Sequence, residues 1–134
     1  MKIEVSNGEI LDKLTILYLK VAFIKDKDKL VNVRKEVEEL RPIAQDLFQE
    51  YGEELRKLYD KLGEVNHRLW KIEDNIRECE RSQDFSDEFI KLARAVYFTN
   101  DERSDIKKQI NILTKSGLIE EKSYEDYDNS GREQ

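Results

Sequence analysis

Between Leu55 and Cys79 the chain sets Leu55, Leu58, Leu62, Val65, Leu69, Ile72, Ile76 and Cys79 at alternating steps of three and four. That is the spacing of a buried seam along one face of an α-helix, and a seam of this length must be covered by other helices. At roughly 100° per residue, Asn66, Trp70, Glu73 and Arg77 line up beside it, about a quarter-turn away. A merely solvated edge would carry Glu, Lys and Gln. An Asn, a Trp and a Glu/Arg pair point instead to a buried polar network or to the wall of a ligand site, and the spacing leaves both open.

The remaining composition agrees with long amphipathic helices. Charged residues make up 40% of the 134 and hydrophobic ones 38%, with one Pro and five Gly, too few turn formers for a many-stranded sheet. One domain is the expectation for this length. The net charge of −6 arises from 30 acidic and 24 basic groups that alternate closely enough to pair across helix turns, which argues against nucleic acid as a partner. The most basic stretch, Lys25 to Lys35, is interrupted by Asp26 and Asp28. A single cysteine excludes an internal disulfide, and His67 with Cys79 cannot complete a tetrahedral zinc site. Cys79 falls on the apolar seam, where a reduced thiol acts as a small hydrophobe. No window approaches the roughly 20 apolar residues that span a bilayer, and Met1 to Asn7 lacks the features of a signal segment. The expected compartment is the cytoplasm, with no membrane partner.

Ser6, Asn7, Gly8 and Glu9 form an S-x-x-E capping box that opens the first helix. Ile10, Leu14, Leu17, Val21 and Ile24 make one apolar stripe on it, while Ile16, Leu19 and Phe23 lie on nearly the opposite side. A helix apolar on two faces needs cover on two faces; it is either the centre of the bundle or shared with a partner chain. A second helix follows with Leu30, Val33, Val37 and Leu40, ended or kinked at Pro42. Ile43, Leu47 and Tyr51 lead into the Leu55 seam, giving a long helix over 43–80 that Gly52 and Gly63 weaken. Ser82 to Asp87 holds a cap for the last long helix, marked by Phe89, Leu92, Val96, Ile106, Ile110 and Leu113. Gly117 is the expected C-cap, and Leu118 and Ile119 are placed to pack back on the bundle.

That last helix carries its own polar edge in Tyr97, Asn100, Lys107 and Asn111. Arg103 stands where the seam calls for an apolar residue, between Val96 and Ile106. An arginine directed at a core needs a carboxylate or an anionic ligand, since an unpaired buried charge costs several kcal/mol at least. Glu73 and Asp74 are the expected partners if the two long helices pack antiparallel. Together, Asn66, Trp70, Glu73, Asp74, Arg77, Tyr97, Asn100, Arg103, Lys107 and Asn111 form the candidate ligand-binding set, with Arg77, Arg103 and Lys107 to grip charge and Trp70 or Tyr97 to stack. Such a set suits a small anionic metabolite: a nucleotide, sugar nucleotide or phosphosugar. There is no Gly-rich phosphate loop, nucleophile elbow or His-x-x-x-His motif, so catalysis is not the leading expectation. Glu36 with Glu39, and Glu50 with Glu53, are Glu-x-x-Glu pairs, which leaves magnesium as the one cofactor the acids offer.

Several segments resemble a small helical family of unknown function found in bacteria and phages. They are Ile10 to Leu17, Asn66 with Leu69 to Asp74 and Arg77, Phe89 with Leu92 to Arg94, Tyr97, Asn100, Asp101 and Arg103, and Glu120 to Tyr124. The resemblance covers roughly residues 4 to 124 and brings no activity, substrate or cofactor with it; the expected domain is a single helical one over 1–124. The expectation is therefore an all-α antiparallel bundle of about four helices, two of them long, with a flexible acidic tail over 125–134. Its expected function is that of a homodimeric interaction or adaptor module, with binding or turnover of a small anion at the polar face as the alternative.

Overall fold

The computed structural model describes residues 1–117. Among them the chain forms three helices and no strand: α1 (Asn7–Phe23), α2 (Lys27–Arg81) and α3 (Asp87–Leu113). Each start has a local cause. Ser6 caps α1 by accepting the Glu9 amide on its hydroxyl at 3.1 Å, and Asp26 caps α2 by accepting the amides of Asp28 and Lys29, so two free amides of the first turn are satisfied in α2. Ser86 is the N-cap of α3 without a side-chain bond of its own; the Asp84 carboxylate braces it by accepting its amide at 3.0 Å, and Phe85 packs edge-on against Phe89.

The expected count of four helices is corrected to three, because Pro42 does not interrupt α2. Proline leaves the Glu38 carbonyl without its helical donor, but Glu38 and Pro42 are both exposed, so water can serve that carbonyl. The break comes at Gly52, where φ 61° and ψ −140° lie in a region open essentially to glycine. There α2 folds back on itself. The rings of Phe48 and Tyr59 meet edge to face with centroids 5.1 Å apart, whereas in a straight helix those positions would stand about 16 Å apart along the axis. The Arg56 guanidinium lies 4.1 Å over the Phe48 ring and fastens the bend.

The two arms of α2, 27–51 and 53–81, and α3 enclose α1. Leu11, Leu14 and Leu17 of α1 pack with Val33, Val37 and Ala44 of the first arm, Leu55, Leu62 and Val65 of the second, and Ile106 and Ile110 of α3. Each fully buried Leu or Ile in such a core contributes about 1.5–3 kcal/mol. On the opposite face of α1, Phe23 rests on the rings of His67 and Trp70, so α1 is the central element of the bundle.

The C-terminal turns of α2 and α3 close by the same device. Gln83 (φ 56°) and Lys115 (φ 53°) take the left-handed conformation; the amides of Asp84 and Ser116 return to the carbonyls of Cys79 and Asn111, each at 2.9 Å, as in a Schellman motif. Lys115, not Gly117, therefore ends α3. Leu118, Ile119, the Glu120 to Tyr124 segment and the tail over 125–134 lie outside the described residues.

Candidate functional site

The structure collects its polar side chains where all three helices meet. Asp12 of α1 is 1% exposed, and its carboxylate receives Arg103 of α3 through two parallel bonds, Nε to Oδ1 at 2.9 Å and Nη2 to Oδ2 at 2.5 Å. Asn66 of α2 donates its amide to the same Oδ1 at 2.9 Å and to the Thr15 hydroxyl at 2.6 Å. That hydroxyl in turn donates to the Asp12 carbonyl at 2.8 Å. A fork of this kind is the strong form of an ion pair, and the added bonds satisfy the carboxylate that burial would otherwise penalise.

A second polar cluster lies toward the start of α1. Asn111 accepts the buried Gly8 amide at 2.6 Å, and Lys107 donates to Glu9 at 2.8 Å while its ammonium lies 3.8 Å from Asp12. Asn7 donates to the Thr114 hydroxyl at 2.9 Å. Gly8 permits this approach: a Cβ there would lie 2.6 Å from the Lys107 carbonyl oxygen and 2.9 Å from Asn111 Oδ1. The cluster satisfies free amides at the head of α1.

Beside the Asp12 network opens a groove of about 460 Å³, lined by Ile16 and Leu19 of α1, Asn66, Leu69, Trp70, Glu73, Asp74 and Arg77 of α2, and Asn100 and Arg103 of α3. Seven of the ten candidate ligand residues line it: Asn66, Trp70, Glu73, Asp74, Arg77, Asn100 and Arg103. The other three lie elsewhere. Lys107 and Asn111 belong to the clamp on α1, and Tyr97 sits exposed against Phe98. The expected pairing of Arg103 with Glu73 or Asp74 is corrected: its carboxylate is Asp12, and Glu73 is taken by Arg77 one turn along α2 at 2.7 Å. The reason is the placement of α1, which enters between the two long helices and brings its own acid to the arginine.

Asp12 and Thr15 are the functional-looking residues that the sequence reading missed. Their signal was present, because Asp12 leads the stripe of Ile16, Leu19 and Phe23 on the second apolar face of α1, an acid in an apolar row as Arg103 is a base in one. Glu36, one of the acids considered for magnesium, pairs with Lys13 at 3.1 Å; among the described residues no three metal-ligating side chains gather. Cys79 is a free, buried thiol in the seam, and burial pushes its pKa up, with Asp84 and Glu88 adding to the effect. No described helix is long and apolar enough to cross a membrane.

No curated protein and no solved structure matches the chain. A family profile does, over residues 1–130, nearly the whole length. The chain therefore belongs to DUF6165, a family of unknown function.

Proposed function

We propose that this protein is a helical interaction module that works as a homodimer, paired through the distal end of its α2–α3 hairpin. The observation that carries this reading is the burial pattern of that end. Between residues 71 and 98 only Cys79 is buried, although Ile72, Ile76, Phe89, Leu92 and Val96 continue the two seams. Ile90, Tyr97 and Phe98, at i, i+7 and i+8, share one face of α3 and are 53%, 44% and 40% exposed. Among the described residues two helices alone cannot close this stretch of the seams, whereas two such hairpins form a four-helix arrangement that can. A second copy fits the charges as well: the flanks carry both Lys91 and Arg94 and both Asp87 and Glu88, a mixture that pairs with itself across a two-fold axis.

The anion-binding alternative gains less support from the geometry. The three cations that would grip the anion already have carboxylates: Arg77 has Glu73, Arg103 has Asp12, and Lys107 has Glu9.

Light scattering on the purified chain tests the dimer. The expected mass is twice 16.0 kDa, falling to a single chain in Ile90→Asp/Phe98→Asp with helix content unchanged, because both side chains are exposed. A wild-type protein that remains a single chain at micromolar concentration would remove the proposal.

A further inference from the structure

We infer that the groove beside Trp70 binds a neutral, hydroxyl-rich ring, such as a sugar unit or cyclic polyol. The argument starts from its charge. The lining holds two guanidinium groups, Arg77 and Arg103, and two carboxylates, Glu73 and Asp74. Asp12 takes the Nε and Nη2 edge of Arg103 and Glu73 takes Arg77 at 2.7 Å, while Asp74 makes no ion pair among the described residues. A phosphate entering here would meet Asp74 without a cation in surplus. A small cation would meet one solvent-exposed carboxylate, Asp74, a weak hold on its own. A wall with no surplus cation and a single exposed carboxylate favours a molecule that is polar and uncharged.

The kinds of group present complete the choice. Carboxylate, amide and guanidinium are planar forks that offer paired acceptors or paired donors, the geometry that adjacent ring hydroxyls engage. Glu73 and Asp74 supply acceptors, Asn66 supplies its amide oxygen, since its N–H groups bond Asp12 and Thr15, and Asn100 supplies its amide nitrogen, since its oxygen accepts from Arg103. Ile16, Leu19, Leu69 and the Trp70 indole supply apolar surface for the C–H face of a ring. Trp70 is braced by Phe23, whose ring stacks on it at 5.6 Å and 26°, and Arg103 is held by a bidentate bond to a buried acid, so much of the lining is set before a ligand arrives. A volume of about 460 Å³ falls within the usual range for small-molecule sites, about 300–1,000 Å³. The groove is lined independently of Ile90, Tyr97 and Phe98, so this inference does not depend on the dimer.

Trp70 is the single tryptophan of the chain, so its fluorescence reports on the groove. The wild-type protein is titrated into the high-millimolar range with glucose, galactose, mannose, N-acetylglucosamine and myo-inositol, and in parallel with inorganic phosphate and spermidine. Amide NMR shifts over 66–77 and 100–103 are read in the same titrations. The expected result is a saturable change with at least one of the neutral rings and none with phosphate or spermidine. Affinity should weaken by about tenfold, the equivalent of ~1.4 kcal/mol, in Asp74→Ala and in Asn100→Ala, with circular dichroism unchanged. Saturation by phosphate or spermidine alone, silence across the panel in both readouts, or a response that both variants leave intact would each overturn the assignment.

Discussion

The Asp12 carboxylate and the Arg103 guanidinium meet edge to edge across ninety-one residues of chain, one side chain 2% exposed and the other 28%. The pair joins the first helix to the last, and Asn66 adds the second through the same carboxylate oxygen. A buried acid with three bonds to fixed partners specifies one register for α1 between the long helices, because sliding α1 by a turn would strand the charge.

Removing the arginine should therefore destabilise the fold more than an exposed ion pair could. Arg103→Met leaves Asp12 buried and short of its strongest partner, and the expected loss is about 3–5 kcal/mol. Arg68→Met, which breaks an exposed pair with Glu102 at 3.1 Å, should cost at most about 1 kcal/mol. Urea denaturation of both variants provides the comparison. Combining Asp12→Leu with Arg103→Met should recover most of the loss, since an apolar pair strands no charge; equal losses in the two single variants would contradict the account.

Gly8→Ala separates helix propensity from close packing. On propensity alone alanine should stabilise α1 by up to about 1 kcal/mol. The new methyl group would lie 2.6 Å from the Lys107 backbone oxygen, so one helix must shift and the Asn111 bond to the Gly8 amide lengthens. The expected net result is a loss of about 1–3 kcal/mol. A rise in melting temperature would show that the two helices part without penalty.

The helical class and half of the seam were legible from periodicity: Leu55, Leu62, Val65 and Cys79 are buried while Leu58, Leu69, Ile72 and Ile76 are half-buried, and Ser6 caps α1 as its S-x-x-E pattern implies. The polar edges of α2 and α3 do face one another across a groove, which follows from two long helices running antiparallel with their seams in contact. What could not be read was the identity of the partner of Arg103. Periodicity orients a residue on its own helix but does not say which other helix arrives opposite, and thirty acidic residues offer many candidates. The break in α2 was misplaced for a related reason. Pro42 is the stronger local signal, yet on an exposed face its missing hydrogen bond can be made good by water, whereas Gly52 is needed for a bend that only the tertiary fold requires.

Alkaline titration should single out Tyr59. Burial first, and then the neighbouring Tyr18, push its pKa from 10.0 to about 12, so the folded protein keeps this phenol neutral where the unfolded chain would ionise it. The sign follows by linkage: the contribution to stability is present in full below pH 10 and is lost as pH rises from about 10 to 12. One unit of pKa corresponds to about 1.4 kcal/mol, and because solvent screens this partly exposed ring the loss is less than the two units would give, on the order of 1–2 kcal/mol. Unfolding free energies at pH 9 and pH 11.5 should fall in the wild type and fall less steeply in Tyr59→Phe; parallel slopes would assign the alkaline loss to other groups.

Gly52 and Pro42 make opposite demands on α2, and exchanging each for alanine should have opposite effects. At Gly52 a side chain meets no neighbour within 4 Å, so any penalty comes from the backbone alone; φ 61° with ψ −140° costs a non-glycine residue about 1–3 kcal/mol. Alanine there favours continuation of the helix, which would draw Phe48 away from Tyr59 and Tyr51 away from the Thr114 carbonyl that its hydroxyl reaches at 3.0 Å. Pro42→Ala restores an amide donor to the Glu38 carbonyl within an otherwise regular helix and should raise stability, by up to about 3 kcal/mol if the proline bears its full interior penalty. Small-angle scattering distinguishes the two changes: Gly52→Ala is expected to populate a longer particle and to melt earlier, and Pro42→Ala to keep the wild-type dimensions and melt later. If instead Pro42→Ala lengthens the particle and Gly52→Ala does not, the reversal of α2 depends on the proline and not on the glycine.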